Sequence, residues 1–122
     1  MTQTQVAVTG FGILSALGRG AAFNEKALRA GESGLVARPE WEAEKLRSRV
    51  SGNVDLEPLR GEFDRKQSRF LCDPALLSAL AMRDAIAHAE LDQDAVTSLR
   101  TGLVMGTGGS SVPDAVALAD RM

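Results

Sequence analysis

The sequence predicts an α/β fold, because short apolar runs rich in β-branched residues alternate with helical patterns. Two runs carry this prediction, Val6–Thr9 and Thr101–Gly106, and each predicts a buried strand that leads into glycines. The longest helical pattern lies between them, from Asp73 to about Ala89. A hydrophobic fraction of 44% with 25% charged residues is typical of a globular chain and argues against disorder.

The first predicted strand is followed by a turn and then by a helix. Gly10-Phe11-Gly12 predicts a tight turn. A helical pattern runs from Gly20 to Ala30, and Gly31 predicts a left-handed helix end. The apolar face of this helix consists of Phe23, Ala27 and Ala30. Residues 32–34 are expected to form a loop.

Two short elements are expected in the middle of the chain. Trp41–Arg47 is charged and predicts a short, exposed helix within the longer Leu35–Arg47 loop, whereas Arg49–Val54 predicts a brief strand that contains Gly52 and Asn53. Neither element carries a residue pattern that indicates chemistry.

Asp73-Pro74 predicts the start of the long helix, since aspartate can cap free N–H groups and proline suits the first helical position. Its first half is apolar on nearly every side, which predicts burial all round. A lone domain of 122 residues seldom surrounds a helix completely. A further helical pattern begins at Val112 and is still running at Met122. We therefore expect the chain to be part of a larger protein.

Composition excludes several classes of partner. The net charge is −2, and the cations are scattered, so neither nucleic acid nor an anionic membrane is an expected partner. No apolar run approaches the roughly 20 residues of a membrane span. A single cysteine fits a reducing, cytoplasmic compartment. The absence of tyrosine and the 4% aromatic content argue against base-stacking platforms.

Two glycine-rich segments admit a ligand-binding alternative. Gly10–Gly12 invites a dinucleotide-binding interpretation, but Ser15 stands where the third glycine of that fingerprint belongs. The fingerprint also needs an acidic residue that binds the ribose at the end of a second strand, and no clear strand precedes such a residue here. Gly106–Ser111 has no following lysine, which excludes a P-loop. It is either an ordinary strand-to-helix turn or a place where a ligand comes close to the backbone.

The remaining candidate residues are a thiol, an imidazole and a group of cations. Cys72 lies between apolar residues and far along the helix from His88, the only histidine. We therefore expect Cys72 to be a small buried hydrophobe and His88 to be a surface or satisfied helix histidine. No cluster of metal ligands is present in the sequence, so no metal is expected. Lys66 and Arg69 share a helical face, which is either solvated or a docking patch for an acidic partner.

Four segments, taken in order, resemble the start of a β-ketoacyl-[acyl-carrier-protein] synthase of the bacterial chain-elongating type. They are residues 6–15 (VAVTGFGILS), 31–34 (GESG), 64–70 (DRKQSRF) and 102–111 (GLVMGTGGSS), and Gly52-Asn53-Val54 also fits. The resemblance covers nearly the whole chain but about the first third of such an enzyme. It implies a thiolase-like fold, layered α/β/α/β/α and incomplete in this chain, in which residues 1–122 supply the opening part of the first half.

The resemblance also implies an activity and its partners. The family performs a decarboxylative Claisen condensation in which a cysteine thiolate takes the acyl chain and two histidines with backbone amides stabilise the oxyanion. These residues are expected beyond position 122, so no catalytic residue, metal or cofactor is assigned here. Acyl carrier protein, a homodimer and the cytoplasm are expected.

Two groups of residues match functional positions of the family. Lys66, Arg69 and, less closely, Arg65 match its basic patch for the carrier protein. Thr107, Gly108 and Gly109 match the segment that lines the acyl pocket near the dimer interface, where a bulky side chain at Gly109 is expected to shorten the acyl chain accepted. Cys72 and Ser110 depart from the family pattern, which leaves acyl preference and fatty-acid or polyketide use open.

Two alternatives stay open at the level of the sequence. One is the dinucleotide-binding domain described above. The other is a non-catalytic structural or interaction module, which applies if 122 residues are the whole product and a partner covers its apolar faces.

Overall fold

The computed structural model describes residues 5–108 and 111–122, without the side chains of residues 113 and 114. The chain divides into two units. The central unit comprises residues 13–63, and the helical unit comprises the residues up to Gly12 and those from Asp64 onward. Both helices and strands are present, so the predicted α/β class is confirmed in its coarse form.

The central unit contains four short strands and two α-helices, besides one 3₁₀ helix. The strands and α-helices are β1 (Leu14–Ser15), β2 (Gly18–Arg19), α1 (Ala21–Arg29), β3 (Leu35–Ala37), β4 (Val50–Gly52) and α2 (Glu57–Arg60). The first two strands pair antiparallel with Ser15 opposite Gly18, and the last two pair antiparallel with Val36 opposite Ser51. Each pair forms its own two-stranded sheet.

Asn24 attaches the first hairpin to α1. Its Nδ2 donates to the carbonyl oxygens of Gly18 at 3.0 Å and Gly20 at 2.8 Å, and its Oδ1 accepts from the Ser15 hydroxyl. The residue is only 5% exposed, and a buried amide is stable only when such partners satisfy it. The hairpin strands are two residues each, so these side-chain bonds are a large part of what holds them.

The predicted helix between Gly20 and Ala30 is confirmed, and Gly31 has the expected left-handed backbone with φ of 72°. Its predicted apolar face is only partly right. Ala27 is buried, but Phe23 is 53% exposed and Ala30 is exposed. The hairpin hydrogen bonds draw Asn24 inward beside Ala27, and this places the buried stripe one position away from Phe23.

The predicted strand around Arg49–Val54 is confirmed as β4. Its partner β3 lies in the stretch that was expected to be loop, so that part of the prediction is wrong. In place of a helix at Trp41–Arg47, a 3₁₀ helix spans Pro39–Glu42 and turns follow it. Proline at the first position starts this helix early, and the left-handed backbone of Lys45 prevents its continuation.

The helical unit contains four helices among its described residues. They are α3 (Arg65–Ser68), α4 (Asp73–His88), α5 (Gln93–Thr97) and α6 (Val112–Ala119). The predicted long helix is therefore confirmed, and so is a helix that begins at Val112, although α6 ends at Ala119 and does not continue to Met122. Cys72, rather than Asp73, is the residue preceding α4, and Asp73 lies in the first turn, where a negative charge is favourable.

The predicted burial of α4 on all sides is wrong in this structure. Leu76 and Leu80 are fully buried, whereas Met82 is 41% exposed and the other apolar residues of the first half are intermediate. Leu76 and Leu80 lie four positions apart and therefore form one stripe of the helix. That stripe is buried, and the rest of the helix surface is partly open.

Neither Val6–Thr9 nor Thr101–Gly106 forms a strand, which contradicts the prediction of two buried strands. Val8 and Val104 are 86% and 97% exposed. A strand requires a neighbour whose N–H and C=O groups complete its ladder. Within the described part of the helical unit there is no strand to pair with either segment, so their β-branched composition alone does not produce a sheet.

Gly10 and Gly12 lie against the backbone of α4 rather than in a tight turn. A Cβ atom on Gly12 would lie 2.1 Å from the carbonyl oxygen of Ala81, and one on Gly10 would lie 2.6 Å from that of Ala85. Both distances are far inside van der Waals contact, so only glycine permits this approach. The predicted turn is wrong because the turn comes later, at residues 16 and 17 in the β1–β2 hairpin.

Among the residues with a described structure, no helix combines the length and apolar character needed to cross a bilayer.

Candidate functional site

The cations Arg65, Lys66 and Arg69 come together around α3 and are called the basic cluster. The carboxylate of Asp64 caps this short helix by accepting the backbone N–H groups of Lys66 and Gln67, both at 2.8 Å. The cap fixes the start of α3, and Arg69 follows its last residue in helical conformation. Local capping chemistry therefore determines how the three cations are displayed.

The basic cluster surrounds a shallow recess of about 370 Å³. All three residues are exposed, and the Arg69 guanidinium lies 5.8 Å from the ring centre of Phe70. Within the described ranges none of the three is in an ion pair. The arrangement offers three positive charges to a negatively charged partner while the nearest carboxylate, Asp64, is engaged by the helix backbone.

An apolar cleft of about 350 Å³ lies at the start of α4. Its lining includes Cys72, Pro74, Ala75, Ser78, Met105 and Thr107. Thr107, Gly108 and Gly109 were assigned from the sequence to an acyl pocket. Of the two that the structure describes, only Thr107 lines this cleft. A Cβ added at Gly108 would meet no atom within 4 Å, and Gly109 lies outside the described residues.

Cys72 is half-buried at this cleft and not a fully buried hydrophobe, which corrects the sequence prediction. Its position immediately before α4 keeps it at the edge of the core. Since α4 has 16 residues and rises about 1.5 Å per residue, His88 lies roughly 24 Å away along the helix. These two residues cannot form a thiolate–imidazole pair.

His88 is satisfied by a contact that the sequence does not reveal. Its Nδ1 accepts a hydrogen bond from the Phe11 backbone N–H at 3.2 Å, and the two rings meet edge to face with centres 4.7 Å apart. The expectation of a satisfied helix histidine is confirmed. Among the described residues no group of three histidine, cysteine or carboxylate side chains is placed to hold a metal.

Comparison with known proteins assigns the sequence to a family. Residues 3–122 match the amino-terminal domain of β-ketoacyl synthases. The chain belongs to the β-ketoacyl synthase family. Synthase-family membership confirms the resemblance stated from the sequence, and nothing in the comparisons supports the dinucleotide-binding alternative. The fold agrees, since the β1–β2 hairpin separates Gly10–Gly12 from α1, whereas a dinucleotide fingerprint leads from strand to helix directly.

Several synthases are similar in sequence to this chain. It is 39% identical over 115 residues to 3-oxoacyl-[acyl-carrier-protein] synthase 1 of Haemophilus influenzae, and 39% identical over 116 residues to the protein of the same name in Escherichia coli. The ketoacyl synthase alpha subunit of the tetracenomycin polyketide synthase of Streptomyces glaucescens is 28% identical over 105 residues. The first two alignments cover 94% of this chain and 28% of the relatives, so the chain spans about 28% of their length.

Proposed function

We propose that this chain is the amino-terminal part of a 3-oxoacyl-[acyl-carrier-protein] synthase that elongates acyl chains. The observation that carries the proposal is the 39% identity, over 94% of the chain, to two synthases of that name. The chain is then the opening segment of the first half of a thiolase-like, layered α/β/α/β/α fold. The exposed apolar segments Val6–Thr9 and Thr101–Gly106 support this assignment, because both have strand composition and neither has a described strand to pair with.

The proposed reaction is a decarboxylative Claisen condensation. A cysteine thiolate attacks the thioester of an acylated carrier protein and takes the acyl chain while the carrier thiol leaves. A malonyl thioester then loses CO2 to give a carbanion. The carbanion attacks the acyl carbonyl, so a carbon–carbon bond forms as the carbon–sulfur bond breaks and the thiolate is released. We assign none of these catalytic roles to residues 1–122, since Cys72 and His88 lie at opposite ends of α4.

The basic cluster is the proposed docking site for acyl carrier protein. Its three exposed cations surround one recess, and they are free of ion pairs within the described residues. A carrier protein with an acidic surface fits such a cluster, and charge complementarity of this kind speeds association and sets orientation. The location on a capped helix supports a defined presentation of the charges.

The segment Thr107–Gly109 is the proposed acyl-pocket and dimer-interface loop. Thr107 supports the proposal because it lines the apolar cleft beside Met105 and Ala75. An apolar cleft with few polar groups suits a hydrocarbon chain. We also propose that the full-length protein is a homodimer and is located in the cytoplasm.

The activity is tested by incubating the full-length protein with two substrates, a carrier protein that bears an acyl chain and a carrier protein that bears a malonyl group. We expect CO2 release coupled to formation of a 3-oxoacyl product two carbons longer. Malonyl consumption without an elongated product, or no reaction with any acyl chain length, contradicts the proposed function.

Docking is tested separately by the charge reversal Lys66→Glu in the same protein. Carrier-protein binding should weaken about fivefold at low ionic strength and differ little at high salt, because screening removes the contribution of an exposed charge. Lys26→Glu is the matched control, since Lys26 is an exposed cation on α1 with the same charge change. Equal binding by the wild type and Lys66→Glu at low salt refutes the docking site and leaves the condensation itself untouched.

A further inference from the structure

The basic cluster is followed directly by an exposed aromatic ring, that of Phe70, whose side chain is 78% exposed. The Phe70 backbone N–H donates to the Gln67 carbonyl oxygen at 3.1 Å, and the N–H of Leu71 donates to the Ser68 carbonyl oxygen at 3.3 Å. Together with the Asp64 cap, these bonds place the ring within one short stretch of chain. The position of the ring beside the cluster is therefore local and does not depend on segments distant in sequence.

The ring of Phe70 lies beneath the guanidinium group of Arg69. The Arg69 Cζ atom is 5.8 Å from the centre of the ring, within the roughly 6 Å at which the negative ring face attracts a cation. In the part of the chain that the structure describes, this guanidinium forms neither a hydrogen bond nor an ion pair. The ring is therefore the group that restrains it.

We propose that Phe70 is a positioning residue of the docking site, because its ring holds the Arg69 guanidinium beside Arg65 and Lys66 for a carboxylate of the carrier protein. This role rests on the proposed docking function of the basic cluster. All three cations line the same recess, so a guanidinium held there adds its charge to those of its neighbours. The ring attracts the cation without using its N–H donors, which remain available for a carboxylate.

A restrained arginine binds a partner at a lower cost than a free arginine does. Its long side chain has many rotamers, and fixing one of them when a partner binds costs conformational entropy. The Phe70 ring reduces the number of those rotamers before the partner arrives. Neither Arg65 nor Lys66 has such a ring contact among the described residues. The benefit therefore belongs to Arg69 and should disappear when its guanidinium is removed.

The role is tested by measuring the affinity of the full-length protein for acyl carrier protein at low ionic strength. Phe70→Leu keeps an apolar side chain but removes the ring face, so the affinity should fall about two- to fivefold, the effect of an exposed cation–π contact. Phe70→Tyr keeps the ring and should bind like the wild type. Phe23→Leu is the matched control and should also bind like the wild type, because Phe23 is 53% exposed but lies outside the basic cluster.

A double-mutant cycle with Arg69→Gln separates the action of the ring through Arg69 from any other effect of the ring. In the Arg69→Gln background, Phe70→Leu should leave the affinity unchanged. An equal loss in both backgrounds refutes the proposal, since the ring then acts on its own, and so does a loss in Phe70→Tyr as large as that in Phe70→Leu.

The same measurements distinguish this role from the docking site on which it rests. If Arg69→Gln weakens binding while Phe70→Leu binds like the wild type, only the role of Phe70 is refuted. If Arg69→Gln itself binds like the wild type, the docking site is refuted and the role of Phe70 with it.

Discussion

Replacing Gly12 with alanine tests how the segment at residues 5–12 lies on α4. The added Cβ would stand 2.1 Å from the Ala81 carbonyl oxygen and 2.9 Å from the Asp84 Cβ. The first of these atoms belongs to the backbone of a helix and cannot turn away as a side chain could. Carbon and oxygen atoms in proteins approach each other to about 3.3 Å, so the segment or the helix must shift by roughly 1.2 Å.

The expected cost follows from this displacement. Overpacking of a well-ordered contact typically costs about 1–3 kcal/mol, and two rigid backbones place Gly12→Ala near the upper end. Removing glycine also restricts the unfolded chain, which returns about 0.4–1 kcal/mol. The net loss in the free energy of unfolding should therefore be roughly 2 kcal/mol, after combining these two contributions.

Urea denaturation measures this loss. With a dependence of about 1–3 kcal/mol per molar urea, the midpoint should fall by roughly 0.7–2 M. Gly102→Ala is the control, because a Cβ at Gly102 meets no atom within 4 Å. A Gly12→Ala midpoint that matches the Gly102→Ala midpoint would refute the close approach.

Two further predictions concern the central unit. Asn24→Ala removes the donors to the Gly18 and Gly20 carbonyls, so the free energy of unfolding in urea should fall by about 2–3 kcal/mol. The exposed control Glu25→Ala should change this free energy by less than about 0.5 kcal/mol. Similar losses for both variants would contradict the role of the buried amide. Gly31 has φ of 72° and open space around it, so Gly31→Ala should cost about 1–2 kcal/mol through backbone strain alone. Gly31→Asn should cost less in the same assay because asparagine tolerates the left-handed region, and equal losses would indicate a steric cause instead.

The longer helices were predictable from the sequence because their signals are local, whereas α2 and α5 were not predicted and the helix expected at Trp41–Arg47 was wrong. Proline beside Asp73 and the left-handed position of Gly31 act within one or two turns, so the bounds of α4 and the end of α1 follow from neighbouring residues. The basic cluster was predictable for the same reason, since three positions along a helix bring Lys66 and Arg69 together whatever lies elsewhere. Family membership was also readable from short motifs in order along the chain.

Strands and close contacts were not predictable, because they depend on residues distant in sequence. Val6–Thr9 has strand composition, but a ladder needs a neighbour, and β3 forms in an unpromising stretch because β4 pairs with it. Gly10–Gly12 has the composition of a turn, and only the structure shows that it packs against the backbone at Ala81 and Ala85.

The sequence by itself determined α1, α4 and the start of α6, the composition of the basic cluster and the family. Only the tertiary structure decided that Asn24 is buried, that His88 binds Phe11 and that Cys72 borders a cleft. The physical reason is range: capping and helical periodicity act over a few residues, whereas burial and hydrogen-bond partners are set by which distant segments pack together.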